Sequence, residues 1–257
     1  MTHRAAAIVV PVMVLCGLTV PASAADKPPL SGLEYASADI RAMQADDFAN
    51  PSMLWVSRGE KLWSAPAAGR SCADCHGAAE KSMRGVATRY PQTDRATGKF
   101  LNLEGRINQC RSERQMTGTF PYESEELLAL TAYVAHQSRG QPVEVVIDDS
   151  NRERLTQGRR MYYNRQGQMN LACTHCHEQN AGKRLLAEII SEGHGNAYPI
   201  YRLEWQTAGS LHRRLRACYF GIRAERPPFG SDELLNLELF LAHRAKGLPV
   251  ETPGVRR

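Results

Sequence analysis

Two copies of a Cys-x-x-Cys-His motif constrain this 257-residue chain more than any other feature. They are Cys72-Ala-Asp-Cys75-His76 and Cys173-Thr-His-Cys176-His177. In such a motif the two thiols form thioether bonds to the vinyl groups of a porphyrin, and the histidine that follows binds the iron. A zinc site would need further ligands beyond each motif. The pair therefore predicts two covalently bound haem c groups and an interior that is partly porphyrin.

The first residues predict export. Arg4 precedes an apolar run from Ala5 to Val20, and Ala22-Ser23-Ala24 has the small residues of a cleavage site. The run is short for a membrane span, so we expect a signal peptide at residues 1–24, with an uncleaved anchor as the alternative. No later segment of the sequence is apolar enough to span a bilayer. Covalent haem attachment in an oxidising compartment fits the bacterial periplasm.

The chain contains an internal repeat. The segment from Glu126 to Val143 recurs from Glu233 to Val250, with an Ala-His pair, a glycine and a Pro-Val pair at matching places. We therefore predict a mainly α protein of two tandem cytochrome c-like domains with an N-terminal extension. The predicted boundaries are listed here: extension 25–49, first domain 50–148, and second domain 149–257, which carries the active-site haem.

Hydrophobic periodicity places helices in both units. Leucines at helical spacing predict an amphipathic helix before Gly140 and another before Gly247, with each glycine as a C-terminal cap. An earlier helix is expected to end just before each motif, around 58–63 and around 158–163. The extension is expected to form an amphipathic helix from Leu33 to Phe48.

Composition narrows the partners. The chain has 32 Lys and Arg residues against 27 Asp and Glu, a formal net charge of +5. A mildly basic surface suits docking to acidic partners or anionic substrates. Nothing in the pattern predicts binding to nucleic acid.

Two cysteines remain to be explained. Of seven cysteines, Cys16 leaves with the predicted signal and four belong to the motifs, so Cys110 and Cys218 are left at equivalent places in the two units. They are candidates for an inter-domain disulfide, for buried bystanders, or for thiolate ligands of the two irons. We favour thiolate ligation, which stabilises ferric iron and predicts low potentials.

Other residues compete for the sixth position on each iron. His136 and His243 recur late in the amphipathic helix, where capping or packing is the usual role. His175 lies inside the second motif and is given no ligand role. His194 and His212 occur in the second unit only, and His212 is a candidate for handling a proton. The methionines without counterparts across the repeat are expected to fill the core: Met83, Met116, Met161 and Met169.

The surroundings of the two extra cysteines differ. Arg106 and Arg214 each stand four residues before their cysteine, but only Cys218 lies in a dense cationic stretch without a nearby carboxylate before it. Arginines lower the pKa of a thiol and bind anionic oxygens in a bidentate manner, although partners for haem propionates or a solvated basic face are alternatives. We take the second unit as catalytic, and the first as a relay or a structural remnant.

These features together resemble the SoxA family, the larger subunit of the SoxAX cytochrome of bacterial sulfur oxidation. The tandem motifs, the Arg214-x-x-x-Cys218 element and the signal carry the resemblance over essentially the whole mature chain. It implies L-cysteine S-thiosulfotransferase activity, in which thiosulfate is coupled oxidatively to a cysteine of a SoxYZ-like carrier. The electrons would pass through haem to a small cytochrome c, and a SoxX-like subunit would complete a heterodimer.

The resemblance also implies roles for single residues. His177 and Cys218 would ligate the active-site haem, Cys218 would be the catalytic thiol, and Arg214 would bind the sulfur anion. His76 and Cys110 would ligate the first haem. Thiosulfate dehydrogenase, which joins two thiosulfates into tetrathionate, is the alternative, but its second haem is expected to use methionine. A non-catalytic dihaem carrier would favour symmetric methionines, and a dihaem peroxidase would need an open iron.

Overall fold

The computed structural model describes residues 1–2 and 28–257, so the cleavage site and all but the first two residues of the predicted signal peptide lie outside the described part. The helices, in chain order, are α1 (Ala38–Ala45), α2 (Met53–Ser64), α3 (Cys72–His76), α4 (Ala79–Ser82), α5 (Leu103–Glu113), α6 (Glu125–His136), α7 (Arg152–Tyr163), α8 (Cys173–His177), α9 (Leu211–Gly221) and α10 (Asp232–Arg244). The strands are β1 (Gln92–Thr93), β2 (Phe100–Leu101), β3 (Arg184–Leu185), β4 (Glu188–Ile189), β5 (Ile200–Arg202), β6 (Thr207–Gly209) and β7 (Gly254–Arg256). Within the described part, no helix is long and apolar enough to cross a membrane.

The predicted mainly α, tandem architecture is confirmed. In the first unit α2 packs along α6, and in the second α7 packs along α10. Each motif forms a short helix, α3 or α8, soon after the first helix of its pair ends. The helices predicted to end just before each motif are α2 and α7. Each pair buries the apolar stripe that the repeat predicts, with Leu127 and Leu234 fully buried.

A glycine makes each helix pair possible. A Cβ at Gly59 would lie 2.1 Å from the carbonyl oxygen of Ala129, and a Cβ at Gly158 would lie 1.9 Å from that of Asn236. Both distances are far inside van der Waals contact, so only glycine allows α2 to approach α6 and α7 to approach α10 so closely. A glycine at the helix contact in both units supports their common origin.

The repeated segments that follow α6 and α10 pair with each other. The Val143 amide donates to the Leu248 carbonyl over 2.8 Å, and the Val250 amide donates to the Gln141 carbonyl over 2.8 Å. Around this pairing, Val143, Leu248 and Val250 form an apolar cluster with Ala245. The two domains are therefore joined along their repeated C-terminal segments.

Several details depart from the expectations. Helix α6 ends at His136 and α10 at Arg244, before Gly140 and Gly247, so the glycines have left-handed φ angles of 80° and 86° in the turns that lead into the pairing rather than at the caps. The extension is not one helix, since a 3₁₀ turn at Gly32–Tyr35 precedes the separate helix α1. The last strand, β7, pairs in parallel with β5, and β5 pairs antiparallel with β6.

Candidate active site

The histidine of the second motif is held in one orientation. The Nδ1 atom of His177 lies 2.8 Å from the Ser191 carbonyl oxygen, which leaves Nε2 as the free ligating atom. Gly193 packs against the same ring, where a Cβ would stand 2.8 Å from both Cγ and Nδ1 of His177. The glycine has a φ of 77°, a conformation that other residues rarely adopt. Backbone groups of the segment after α8 therefore fix the imidazole.

Helix α9 brings its cysteine to this imidazole. The helix begins after Ser210, whose side chain accepts a hydrogen bond from the Arg213 amide over 3.1 Å. Arg214 and Cys218 lie one turn apart on the same face of the helix, and Cys218 is within hydrogen-bond reach of the His177 side chain. The predicted ligand pair of the second unit, His177 and Cys218, is thus brought together.

The environment favours the thiolate form of Cys218. Burial opposes ionisation, but the hydrogen bond with His177 and the positive charges of Arg214 and Arg202 outweigh it, so the pKa of Cys218 lies below its ordinary value. The motif thiols behave differently. Burial and the nearby Cys218 raise the pKa of Cys173 to about 12.

Arg214 is the arginine left available at this site. Among residues 28–257 no carboxylate lies within ion-pair distance of its guanidinium, although Glu188 and Glu204 are near enough to act on its charge. Those two carboxylates instead hold Arg202, with Glu204 at 2.8 Å. Burial works against the charge of Arg214, but Cys218 and Tyr198 more than compensate and raise its pKa.

The other arginines of α9 are already engaged. The guanidinium of Arg213 stacks over Trp205 with 4.2 Å to the ring centroid. Arg216 donates to the Arg226 carbonyl oxygen over 3.2 Å and lies over Phe229. Of the cationic stretch seen in the sequence, therefore, Arg214 is the member directed at the cysteine.

The first motif has a looser histidine. Ser71 caps α3, and the Trp63 indole donates to the Gly77 carbonyl over 3.0 Å. The His76 ring packs against the Trp63 ring with centroids 5.7 Å apart, but His76 is exposed, and no hydrogen bond holds it in the part of the chain that the structure describes. Cys110 lies near the motif thiols of Cys72 and Cys75, and no hydrogen bond joins it to His76 among those residues.

The cysteine of the first unit is also less activated. Burial raises the pKa of Cys110, and Arg106 and Arg114 offset this only in part. Arg106 is engaged elsewhere, since its Nη1 lies 3.2 Å from Asp94 and 2.8 Å from the Gln109 side-chain oxygen. The equivalent arginines of the two units therefore have different partners.

The structure decides several competing interpretations. The described cysteines are all free, so a disulfide between Cys110 and Cys218 is wrong. Met83 and Met161 pack against the two cores as expected, whereas Met116 and Met169 are exposed, so their predicted core role is wrong.

Within residues 28–257, no hydrogen bond joins the other candidate histidines to Cys110 or Cys218. His136 is the last residue of α6 and His243 the last but one of α10, in keeping with the role expected of them. The Nδ1 of His175 lies 3.0 Å from the Ala172 amide, inside the turn of the second motif. His194 is buried beside Glu192.

The sequence did not lead us to predict two tyrosines that lie beside the two cysteines. Tyr198 lies close to Arg214 and Cys218, and Tyr90 lies close to Arg106 and Cys110. Each belongs to a Tyr-Pro dipeptide, and the two dipeptides stand at the same distance before their cysteines, so the repeat contained the signal. The carbonyl of Ser191 had no such signal, because any residue can supply it.

The second unit has the donor set of a ferric haem. An imidazole oriented through its Nδ1 faces a cysteine whose surroundings favour the thiolate, next to two motif thiols that are free to form thioethers. Imidazole nitrogen and thiolate sulfur are both ligands that would suit haem iron. The residues present therefore fit the group that the motif predicts.

Comparison with known proteins gives one consistent result. The family described as SoxA/TsdA, cytochrome c domain, matches residues 58–143, which include the first motif. The L-cysteine S-thiosulfotransferase subunit SoxA of Pseudaminobacter salicylatoxidans is 41% identical over 89% of this chain and 81% of that protein, and the one from Paracoccus pantotrophus is 36% identical over 88% and 78%. The crystal structure of SoxXA from P. pantotrophus superposes with a TM-score of 0.86 at 36% identity and covers 89% of this chain and 87% of that one.

Proposed function

The chain belongs to the SoxA family, and we propose that it takes part in the reaction that names its relatives, the oxidative coupling of thiosulfate to a cysteine thiol. One observation carries the proposal. Arg214, without an ion-pair partner in residues 28–257, lies beside a cysteine whose pKa is lowered and which faces an oriented imidazole. This arrangement suits a sulfur dianion that binds to a guanidinium and reacts at a thiolate.

We infer two covalently bound haem c groups, one for each unit. The match to a cytochrome c domain supports haem c, and the second motif supports the number two. The proposed attachment and ligand residues are Cys72, Cys75, His76 and Cys110 for the first haem, and Cys173, Cys176, His177 and Cys218 for the second. When bound, haem supplies one-electron redox chemistry.

The chain's own residues account for the bond changes. Arg214 binds the sulfonate oxygens of thiosulfate and directs its outer sulfur at Cys218. A sulfur–sulfur bond forms between the Cys218 thiolate and that outer sulfur, and the two electrons released are taken up, one at a time, by the small cytochrome c. The thiolate of the carrier then attacks the same outer sulfur and displaces the Cys218 thiolate, an exchange that needs no further electrons. One proton is released for each carrier thiol consumed.

The proposed partners follow from this chemistry and from the comparisons. The match to a SoxXA complex supports a SoxX-like cytochrome subunit in a heterodimer. A SoxYZ-like carrier supplies the acceptor cysteine, and a small cytochrome c takes up the electrons. The predicted signal peptide and the predicted covalent haem support a periplasmic location.

The experiment that tests the function follows electrons and sulfur together. Thiosulfate is added without oxygen to the oxidised complex with its small cytochrome, with and without the carrier, while haem absorbance and the mass of the carrier are recorded. Reduction that requires the carrier, with a thiosulfonate adduct on its cysteine, is the expected result. Reduction without the carrier, with tetrathionate as product, would assign the protein to the thiosulfate dehydrogenases instead.

A further inference from the structure

A histidine on the far side of α9 from Arg214 is buried in the boundary between the domains. The side chain of His212 is 1% exposed, and its Nε2 lies 2.9 Å from the carboxylate of Glu238 on α10. Its Nδ1 lies 3.2 Å from the Gly230 amide nitrogen. Burial disfavours the charged imidazole, but Glu238, Glu104 and Glu123 outweigh this effect and raise the pKa of His212. The first turn of α9 is thereby tied to α10.

The first domain completes this cluster. Asn102 donates to the Glu238 carboxylate over 3.2 Å, and the Tyr122 hydroxyl donates to Asn102 over 3.1 Å. The Tyr122 ring stacks on His212 with centroids 5.8 Å apart. Glu104, 7% exposed, lies on the same cluster and occupies in α5 the place that His212 occupies in α9. The first turns of both cysteine-bearing helices therefore meet here.

The cluster holds more carboxylates than its surroundings can neutralise. Burial first, and then the charge of Glu238, raise the pKa of Glu104 to about 7, and His212 offsets this only in part. Glu123, from the loop before α6, is the other carboxylate that faces the cluster, and it accepts a hydrogen bond from the Ser210 amide over 3.3 Å. Among residues 28–257 neither Glu104 nor Glu238 has an arginine or lysine within ion-pair distance.

Space next to the cluster allows α9 to shift. A cavity of about 70 Å³ lies between the domains, lined by Glu238 and by the tyrosines at the two cysteines, Tyr90 and Tyr198. Most of the lining is apolar, and Leu211 of the first turn of α9 is part of it. Since Tyr198 is a neighbour of Arg214, a displacement of the first turn of α9 reaches the guanidinium.

We propose that Glu104, Glu238 and His212 form a proton-dependent clamp between the domains, which positions α9 and thereby Arg214 for the reaction at Cys218. With Glu104 protonated, the cluster holds one negative charge fewer around His212, and the clamp is closed. When Glu104 loses its proton, a second buried negative charge repels Glu238, and the first turn of α9 moves. The effect on thiosulfate rests on the proposed function.

The test compares two carboxylates of the same helix in the complete haem-containing complex. Glu104→Gln mimics the protonated clamp, and Glu113→Gln is the control, because Glu113 is partly exposed and pairs with Lys99 away from the cluster. In the wild type and the control, KM for thiosulfate is expected to rise as pH increases through about 7. We expect a rise of roughly fivefold, which is at the low end of the usual coupling between two sites. In Glu104→Gln it should stay at its low value while kcat changes little. An unchanged pH dependence in Glu104→Gln would overturn the proposal.

A second measurement does not depend on turnover. The infrared band of a protonated carboxyl, identified by its absence in Glu104→Gln, should disappear as pH increases through about 7, and the absorbance of the second haem should change over the same interval. A band without this titration, or a haem spectrum that changes identically in Glu104→Gln, contradicts the clamp. If the spectra behave as expected but thiosulfate is not consumed, the proposed function fails and the clamp stands.

Discussion

Helices α5 and α9 begin alike, and their cysteines have different surroundings. Each starts after a side-chain cap, Asn102 or Ser210, and each carries an arginine one turn before its cysteine. In α5 the arginine is paired with Asp94, and burial raises the pKa of Cys110. In α9 the arginine has no such partner within residues 28–257, and the pKa of the cysteine is lowered.

The difference lies in the segments that face the two helices rather than in the helices themselves. Hydrogen bonds from Gln109 and Thr97 hold the pKa of Asp94 at about 2, so this carboxylate stays charged and occupied with Arg106 at neutral pH. In the second unit the facing segment supplies a carbonyl, that of Ser191, to orient His177. The second copy of the repeated unit thus becomes a candidate catalytic unit through its loops.

Removal of each cysteine in turn gives the largest expected effect. Cys218→Ala should lower the rate of thiosulfate coupling by roughly 10³-fold or more, because it removes the thiolate proposed to react. Cys110→Ala should lower it far less, because burial raises the pKa of Cys110 and the arginine one turn before it, Arg106, is paired with Asp94. The measurement is steady-state turnover with carrier and cytochrome, after mass spectrometry has verified that both haems are attached.

The comparison between the two units fails if the two variants lose similar activity. Equal losses would mean that the first haem unit takes part in turnover. Retained turnover in Cys218→Ala would remove that residue from the catalytic role.

The clamp predicts a difference in stability with pH. The pKa of Glu104 is raised to about 7 from an unfolded value near 4.5, so the folded protein binds this proton more tightly. The free energy of unfolding should therefore fall as pH increases through this window, by up to about 3 kcal/mol from this group. Glu104→Gln should remove that slope and Glu113→Gln should keep it, as measured by denaturant titration at several pH values. A slope that persists in Glu104→Gln would show that other groups bind the proton.

The sequence was sufficient to predict the two helix pairs and the candidate ligand residues. Periodicity and the repeat predicted the paired helices, and the cationic stretch around Cys218 distinguished Arg214 and Cys218 from their counterparts in the first unit. The sequence did not show that Asp94 would pair with Arg106, because Asp94 lies just after β1 and outside helix α5, so the contact depends on how the chain folds back. Nor did it show that His212 would meet Glu238, since that contact depends on how the two domains dock. Interactions between distant segments carry no periodic signal.

Substitution of the glycine in each helix pair tests whether the two units pack their helices equally closely. Gly59→Ala and Gly158→Ala should each destabilise the protein by about 2 kcal/mol, because each new methyl group would overlap a backbone carbonyl that cannot move aside. Gly118→Ala is the matched control, since its methyl group would enter open space. Thermal unfolding of the haem-containing protein measures all three. If only one of the two substitutions destabilised the protein, the two helix pairs would differ in how closely they pack, in addition to the different surroundings of their cysteines.

The smallest expected effect comes from the two arginines. Arg214→Lys keeps the charge but loses the bidentate guanidinium, so KM for thiosulfate should rise by about tenfold, with a smaller change in kcat. Arg106→Lys should leave KM unchanged, because Arg106 already pairs with Asp94 and faces the less activated cysteine. Steady-state kinetics with thiosulfate as the varied substrate separates the two parameters. A rise in KM from both variants would mean that both units bind the sulfur anion. The pairing of Arg106 with Asp94 would then have to change when the partner subunit docks.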